Sequence, residues 1–315
     1  KWNGINLEIY YNKGHEYNLD KMMSSMKASF DYFSKNFSPY QYRQMRIMEF
    51  PKYADFAQSF ANTVPYSEHI GFIADLRNKE ELDMPYYVTA HEVAHQWWGH
   101  QVIEANVKGN GMLSESLSEY SALMVLKNHV STEVMQKFMK YNLDEYLYGR
   151  ATERKKEQPL YLCENQQYIH YNKGSVVMYY LKEMIGEDKV NLALQKLIKD
   201  HGYQEPPYPT SISAVNAFRE VTPDSLQYLI DDMFENITVF SNRVTDVNYV
   251  KSGEEYEVTL TTFSEKFRAD SLGKQTAVPL VDFIDIGINQ KNTDYLRYAP
   301  LFIIGIFILR GVFNF

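Results

Sequence analysis

The ten residues His91–His100, HEVAHQWWGH, place three histidines and a glutamate beside two tryptophans. His91 and His95 are four residues apart, so on a helix their imidazoles project from the same face, one turn apart. This geometry suits two ligands of a tetrahedral zinc ion. Glu92 can reach a water at the metal, take its proton as the water attacks a carbonyl, and pass the proton to the leaving amine. The stretch therefore predicts a hydrolytic metal site.

The surroundings of this motif favour a functional role over a chance occurrence. Five-residue motifs do recur by accident on exposed helices. Here Pro85 marks a helix start, and the apolar pattern predicts one helix over Tyr86–Val102, with Trp97 and Trp98 behind the motif. Burying polar ligand groups in an apolar helix costs free energy unless they bind a partner, which favours a metal site here.

His100 does not fit as the third metal ligand. On a continuing helix it would point about 140° away from His95. We interpret His100 as a residue at the C-terminal end of this helix, after Gly99, where the helix dipole favours a histidine.

Two glutamates downstream are better candidates for the third ligand. Glu115 and Glu119, in MLSESLSEYSAL (Met112–Leu123), are one helical turn apart. Such a pair is more often a solvated helix face, but the upstream motif favours a metal role. We expect Glu115 to bind the metal and Glu119 to hold the outer nitrogen of a ligating histidine.

Composition limits the classes of partner and fold. The chain has 315 residues, a net charge of -8 and one cysteine. Without a run of Lys and Arg, this charge argues against nucleic acid as a partner, and a single cysteine excludes an internal disulfide. The length predicts two domains. The helical periods up to about residue 235 and the alternation after it predict a mostly helical domain, then a small β domain.

The ends of the chain suggest an excerpt of a longer protein. It starts at Lys1 without a signal peptide, and Leu301–Leu309, LFIIGIFIL, is apolar but shorter than the roughly 20 residues of a spanning helix. This run could begin a membrane segment, form a buried strand or be foreign to the chain. We expect four segments, namely a remnant strand at 1–16, a catalytic domain at 17–237, a β domain at 238–290 and an apolar tail at 291–315.

These motifs resemble the M1 family of zinc metallopeptidases, within the gluzincin group. HEVAHQWWG matches the family pattern HExxHxWxG, and LSESLSEY stands where the family has LNEGFAxY. The resemblance implies that Glu115 is the third zinc ligand, although Ser114 and Ser116 replace the usual Asn and Gly. The interval between His95 and Glu115 holds 19 residues, one more than is usual in the family, which implies a one-residue bulge or a longer loop.

Two further segments resemble the family. HYNKGSVVMYYL (His170–Leu181) is similar to the YEKG segment, which implies that Tyr171 hydrogen-bonds the tetrahedral oxyanion. Pro65–His69 occupies the place of GxMEN, followed by Ile70–Ile73 in the place of WGLI, which puts Glu68 on the carboxylate that binds the free amino terminus of the substrate. The alternative for Glu68 is an ordinary exposed acid.

The resemblance covers residues 20–235, the thermolysin-like catalytic domain, and is closest to M1-like domains fused to bacterial ABC-2 transporter permeases. It implies a mainly α catalytic domain with a small mixed sheet, followed by a small β-sandwich-like domain. It implies one zinc ion, a peptide substrate, and a membrane-tethered parent protein with ABC transporter subunits, on the extracytoplasmic side of a bacterial membrane. The predicted function is zinc-dependent, aminopeptidase-like hydrolysis of peptide bonds. The alternative is a non-catalytic peptide-binding or sensing module, which the altered GxMEN segment favours and Glu92 and Tyr171 oppose. Hydrolysis of a non-peptide substrate is a third alternative without specific support.

Overall fold

Helices dominate the first of two units into which the computed structural model divides, Lys1–Glu235 and Asn236–Phe315. The first unit adds one small sheet to its helices, and the second is built from strands. The predicted helical domain with a small sheet is therefore confirmed, while the predicted domain boundaries stay predictions. The structure describes residues 1–78, 82–252, 255–282 and 307–314.

Helical segments of three kinds occur in the described part of the first unit. The α-helices are α1 (Leu19–Asn36), α2 (Met84–Ala94), α3 (Leu117–Lys127), α4 (Thr132–Thr152), α5 (Gly174–Ile185), α6 (Glu187–His201), α7 (Ser211–Val221) and α8 (Gln227–Ile230). Short 3-10 turns lie at Leu160–Leu162 and Asp224–Leu226. Wider π-helical turns lie at Met112–Ser116, Tyr168–Lys173 and Asp231–Glu235.

The sheet of the first unit brings together segments that are distant in sequence. Its strands are β1 (Asn6–Tyr10), β2 (Gln44–Phe50) and β3 (Thr63–Ser67), in the order β1-β2-β3 with both pairings parallel. Antiparallel bridges from Ala57 to Tyr66 and from Phe60 to Thr63 make the pairing mixed. The strand expected within residues 1–16 is thus β1, and it belongs to this sheet.

An aromatic cluster fixes the chain where it leaves α2. Trp97 and Trp98 are fully buried. The ring of Trp97 lies 5.3 Å from that of Phe33 on α1, and the ring of Trp98 lies 5.4 Å from that of Phe37. The Trp98 indole also donates a hydrogen bond of 2.8 Å to the Ser121 hydroxyl on α3. These contacts hold α1, α2 and α3 together around the end of the histidine motif.

The predicted helix over Tyr86–Val102 is wrong at its C-terminal end. Helix α2 stops at Ala94, and the chain then turns back so that Gly99 N donates to Val102 O at 2.9 Å. Gly99 has a φ of +119°, a value that other residues rarely adopt, so it permits this turn. His100 lies inside the turn and not at a helix end, which corrects its predicted position.

The described residues of the second unit form a single antiparallel sheet. The long strands β4 (Ile237–Ser252) and β5 (Glu255–Ala269) pair along their whole length, and β5 also pairs with β6 (Gln275–Val278) and β7 (Phe307–Asn314). A second sheet layer is not shown, so the predicted sandwich stays a prediction. Residues 291–306 and residue 315 of the predicted apolar tail lie outside the described residues, and Phe307–Asn314 form β7. No described helix has the length and apolar content needed to span a membrane.

Candidate metal centre

Three side chains converge with the spacing of zinc ligands. His91 Nε2 and His95 Nε2 are 3.0 Å apart, and Glu115 Oε2 lies 3.3 Å from each of them. Zinc bonds of about 2.0–2.1 Å in a tetrahedral arrangement place ligand atoms roughly 3.3 Å apart, so the three atoms fit this ion. Two imidazole nitrogens facing each other at this distance cannot both carry a proton, whereas a cation satisfies both lone pairs.

A π-helical turn carries Glu115 to the two histidines. The turn spans Met112–Ser116 and runs directly into α3 at Leu117. A π-helical turn holds one residue more than the hydrogen-bonded turn of an α-helix. It therefore provides room for the additional residue between His95 and Glu115 that the sequence indicates.

Glu119 orients the His91 ring by contacting its Nδ1, the nitrogen that does not face the other two ligands. Its Oε1 lies 2.9 Å from His91 Nδ1, and its Oε2 accepts hydrogen bonds from the hydroxyls of Tyr87 and, at 2.6 Å, Ser175. A proton on Nδ1 is thereby stabilised, which leaves the Nε2 lone pair for a metal.

His95 is oriented by the same principle with different partners. Its Nδ1 lies 3.0 Å from the Trp98 carbonyl and 3.1 Å from the Ser118 hydroxyl. Because the carbonyl can only accept, it favours the tautomer with the proton on Nδ1 and a free Nε2. The turn after α2 thus contributes directly to the geometry of the centre.

The pKa values of Glu115 and Glu92 are shifted in opposite directions. Burial alone would raise the pKa of Glu115, but hydrogen bonds with His91 and His95 outweigh it and bring this pKa below its ordinary value. Burial raises the pKa of Glu92, and the neighbouring histidines only partly oppose it. Glu92 Oε2 is buried without a hydrogen-bond partner in the described structure. Glu115 is therefore suited to hold a cation, and Glu92 to exchange a proton.

Tyr171 faces the centre from a second π-helical turn, Tyr168–Lys173. Its ring centroid lies 5.9 Å from that of His91. Burial, followed by the charge of Glu115, raises the pKa of Tyr171, so its hydroxyl stays protonated at neutral pH and can donate.

The two π-helical turns are packed directly against each other. The Ser116 hydroxyl donates a hydrogen bond of 2.6 Å to the His170 carbonyl. Gly174, which follows the second turn, is so close that a Cβ there would lie 2.7 Å from Ser116 Cβ. This contact requires a glycine and fixes the segment of Tyr171 against the segment of Glu115.

A cavity of about 800 Å³ opens beside the candidate metal centre. Glu104, Ser114, Glu115, His170 and Tyr171 are among its lining residues. Burial raises the pKa of Glu104, a residue for which the sequence carries no motif. A concave site of this volume can hold part of a peptide.

Glu68 has its contacts in a different cluster. It does not line the cavity, and its carboxylate instead accepts a hydrogen bond from Lys52 N at 3.1 Å and lies 3.6 Å from His15 Nδ1. The structure therefore gathers His91, Glu92, His95, Glu115, Glu119 and Tyr171, whereas the substrate-binding role of Glu68 stays a prediction.

A comparison with known protein families identifies the family of this chain. The peptidase family M1 domain matches residues 17–231. The chain belongs to peptidase family M1. Human endoplasmic reticulum aminopeptidase 2 is 22% identical over 216 residues, which are 64% of this chain and 22% of that protein. This M1 chain therefore spans less than a quarter of that relative.

Solved M1 structures share the fold of this M1 chain. A mutant of the M1 zinc metallopeptidase from Deinococcus radiodurans superposes with a TM-score of 0.52 at 14% identity, covering 71% of this chain and 46% of that one. The same mutant bound to a Tyr-Ser-Ala substrate gives 0.50 at 15% identity, covering 71% and 45%. The M1 chain thus spans about half the length of these neighbours.

One short match concerns a transporter. The ATP-dependent lipid A-core flippase of Pseudoalteromonas translucida is 58% identical over 33 residues, which are 10% of this chain and 6% of that protein. A match of this extent does not support the predicted fusion to an ABC-2 permease. That part of the resemblance stays a prediction.

Proposed function

We propose that this M1 chain hydrolyses peptide bonds with one zinc ion at the candidate centre, in the manner of an aminopeptidase. The observation that carries the proposal is the group of three ligand atoms from His91, His95 and Glu115, spaced 3.0–3.3 Å apart. A zinc ion held by these residues supplies Lewis-acid polarisation of a carbonyl and of water.

Three residues of the chain carry out proton transfer, hydrogen bonding to the carbonyl oxygen and positioning of a ligand. Glu92 takes a proton from the attacking water and returns it to the nitrogen of the leaving amine, a role that suits a carboxyl with a raised pKa. Tyr171 donates a hydrogen bond to the carbonyl oxygen as negative charge develops on it. Glu119 holds His91 in position through their contact of 2.9 Å.

The preference for a free amino terminus needs a carboxylate that pairs with an ammonium. Glu104 is our candidate, because it lines the cavity together with Glu115, and Glu68 is the candidate from the sequence. To distinguish the two candidates, Glu104→Gln and Glu68→Gln are each assayed on peptides with free and with acetylated amino termini. The variant that loses activity only on free termini identifies the ammonium site.

The decisive experiment combines metal content with a fluorogenic peptide panel for the wild type and Glu92→Gln. Turnover by the wild type, with zinc retained and turnover lost in the variant, supports the proposal. Bound zinc without turnover of any peptide would contradict it and point to the non-catalytic peptide-binding module. The membrane tether, the transporter subunits and the extracytoplasmic location stay predictions from the sequence.

A further inference from the structure

A second group of metal-ligating side chains lies at the sheet of the first unit. Glu49 belongs to β2, Glu68 follows β3, and His15 lies between β1 and α1. The ligand atoms of these three residues lie within 4.8 Å of one another. His15 Nδ1 contacts Glu49 Oε1 and lies 3.6 Å from Glu68 Oε2. Parallel pairing of β1, β2 and β3 brings these distant positions together.

Each carboxylate is oriented by a backbone amide. Asn12 N donates to Glu49 Oε2 at 2.5 Å, and Lys52 N donates to Glu68 Oε1 at 3.1 Å. The second oxygen of each carboxylate is therefore left to face His15. Ligating carboxylates are commonly held in this way by hydrogen bonds to the oxygen that does not bind the metal.

The charges in this cluster are not balanced by the imidazole. The Glu49 side chain is 1% exposed and that of Glu68 is 14% exposed. Among the described residues, both carboxylates form their ion pairs with His15, which provides at most one positive charge. Its Nδ1 can donate at most one hydrogen bond, and the distance of 3.6 Å to Glu68 Oε2 is too long for one. Burial of two carboxylates beside a single imidazole leaves negative charge uncompensated, which is unfavourable.

We propose that His15, Glu49 and Glu68 form a second binding site for a divalent transition-metal ion of the zinc class. One imidazole and two carboxylates suit such an ion. The ion replaces the proton between the three groups and compensates both carboxylates. It ties the segment after β1 to β2 and β3, and it occupies the Glu68 carboxylate that the sequence assigns to the substrate ammonium. The contacts from which this site is inferred do not involve His91, His95 or Glu115.

The test counts zinc ions per chain in variants of each site. Wild type, His15→Ala, His91→Ala and the double variant are loaded with Zn²⁺, passed through gel filtration in metal-free buffer, and assayed by atomic emission. We expect two ions in the wild type, one in each single variant and none in the double variant. One ion in both the wild type and His15→Ala, with none in His91→Ala, would overturn the second site.

His69→Ala is the matched control. His69 Nδ1 lies 2.8 Å from Asp55 in an exposed pair near the same strand end, so its loss should leave two ions. Because His15 is partly exposed, its substitution is milder than that of the buried Glu49. A second readout is the Zn²⁺-induced rise in melting temperature of His91→Ala, which must disappear in the double variant. Peptidase assays play no part in either readout, so failure of the proposed function leaves this test intact.

Discussion

At the scale of single residues, Glu92 is the side chain on which proton transfer depends. Glu92→Gln keeps the volume but cannot accept a proton, so we expect hydrolysis to fall by roughly 10²–10⁴-fold. Zinc should stay bound, because Glu92 is not one of the three converging ligands. Steady-state kinetics and metal analysis measure the loss of activity and the bound zinc. The control is Glu16→Gln, a substitution of an exposed glutamate. Substantial turnover in Glu92→Gln would exclude its role as the base.

Tyr171 is predicted to act after the substrate is bound. Tyr171→Phe removes the hydroxyl beside Glu115 and keeps the ring, so we expect kcat to fall by about 10²–10³-fold with little change in KM. Tyr148→Phe is the matched control, because Tyr148 lines the same cavity. Equal losses in both variants would show that Tyr171 has no specific role.

Lys173, in the second π-helical turn, carries a buried ammonium that we expect to destabilise the folded protein at neutral pH. Its ammonium is buried without a hydrogen-bond partner in the described structure, and burial lowers the pKa of Lys173 from 10.5 to about 8. The unfolded chain therefore binds a proton more readily than the folded chain between these two values. The resulting cost to stability is fully present below pH 8 and disappears as the pH rises to 10.5.

Lys173→Met should consequently stabilise the protein at neutral pH. The shift in pKa corresponds to about 3 kcal/mol, from which loss of the contact with the Tyr146 ring subtracts a fraction. Urea unfolding between pH 7 and pH 10.5 measures the difference from wild type, and exposed Lys189→Met is the control. A difference that does not shrink with rising pH would contradict the assignment.

At the scale of elements, the contact between the two π-helical turns sets the position of Tyr171 relative to Glu115. Gly174→Ala places a Cβ at 2.7 Å from Ser116 Cβ, so we expect a loss of about 1–3 kcal/mol in unfolding free energy and reduced kcat. Ser116→Gly removes the opposing side chain. The double variant should therefore recover much of the stability, as thermal unfolding would show. No recovery would mean that the two positions are not in contact.

The sequence predicts the elements of this site better than their ends. The spacing of His91 and His95 is local, and so is that of Glu115 and Glu119, so a helical period is enough to group them. The end of α2 at Ala94 depends on burial of Trp97 and Trp98 against α1 and α3, which no local pattern contains. The π-helical turns likewise follow from packing, since their residues have ordinary helical character.

Contacts between distant segments explain what the sequence did not indicate. The environment of Glu68 depends on parallel pairing of β2 with β3 and on the chain that follows β1. Glu104 enters the cavity from the irregular segment between α2 and the first π-helical turn. Neither neighbourhood has a characteristic spacing, so only the three-dimensional structure identifies Glu49 and Glu104 as candidates.

At the scale of the whole molecule, the candidate metal centre joins segments from α2 and from the turn preceding α3, so metal binding should stabilise the first unit. An ion that binds only the folded state at one hundred times its Kd adds about 2.7 kcal/mol, or roughly 5–10 °C in melting temperature. We expect a chelator to lower the melting temperature by this amount in His15→Ala, where the second site is removed. In the variant that also carries His95→Ala, the same chelator should have no effect. A melting temperature of His15→Ala that is independent of zinc would show that the three converging ligands hold no ion in solution.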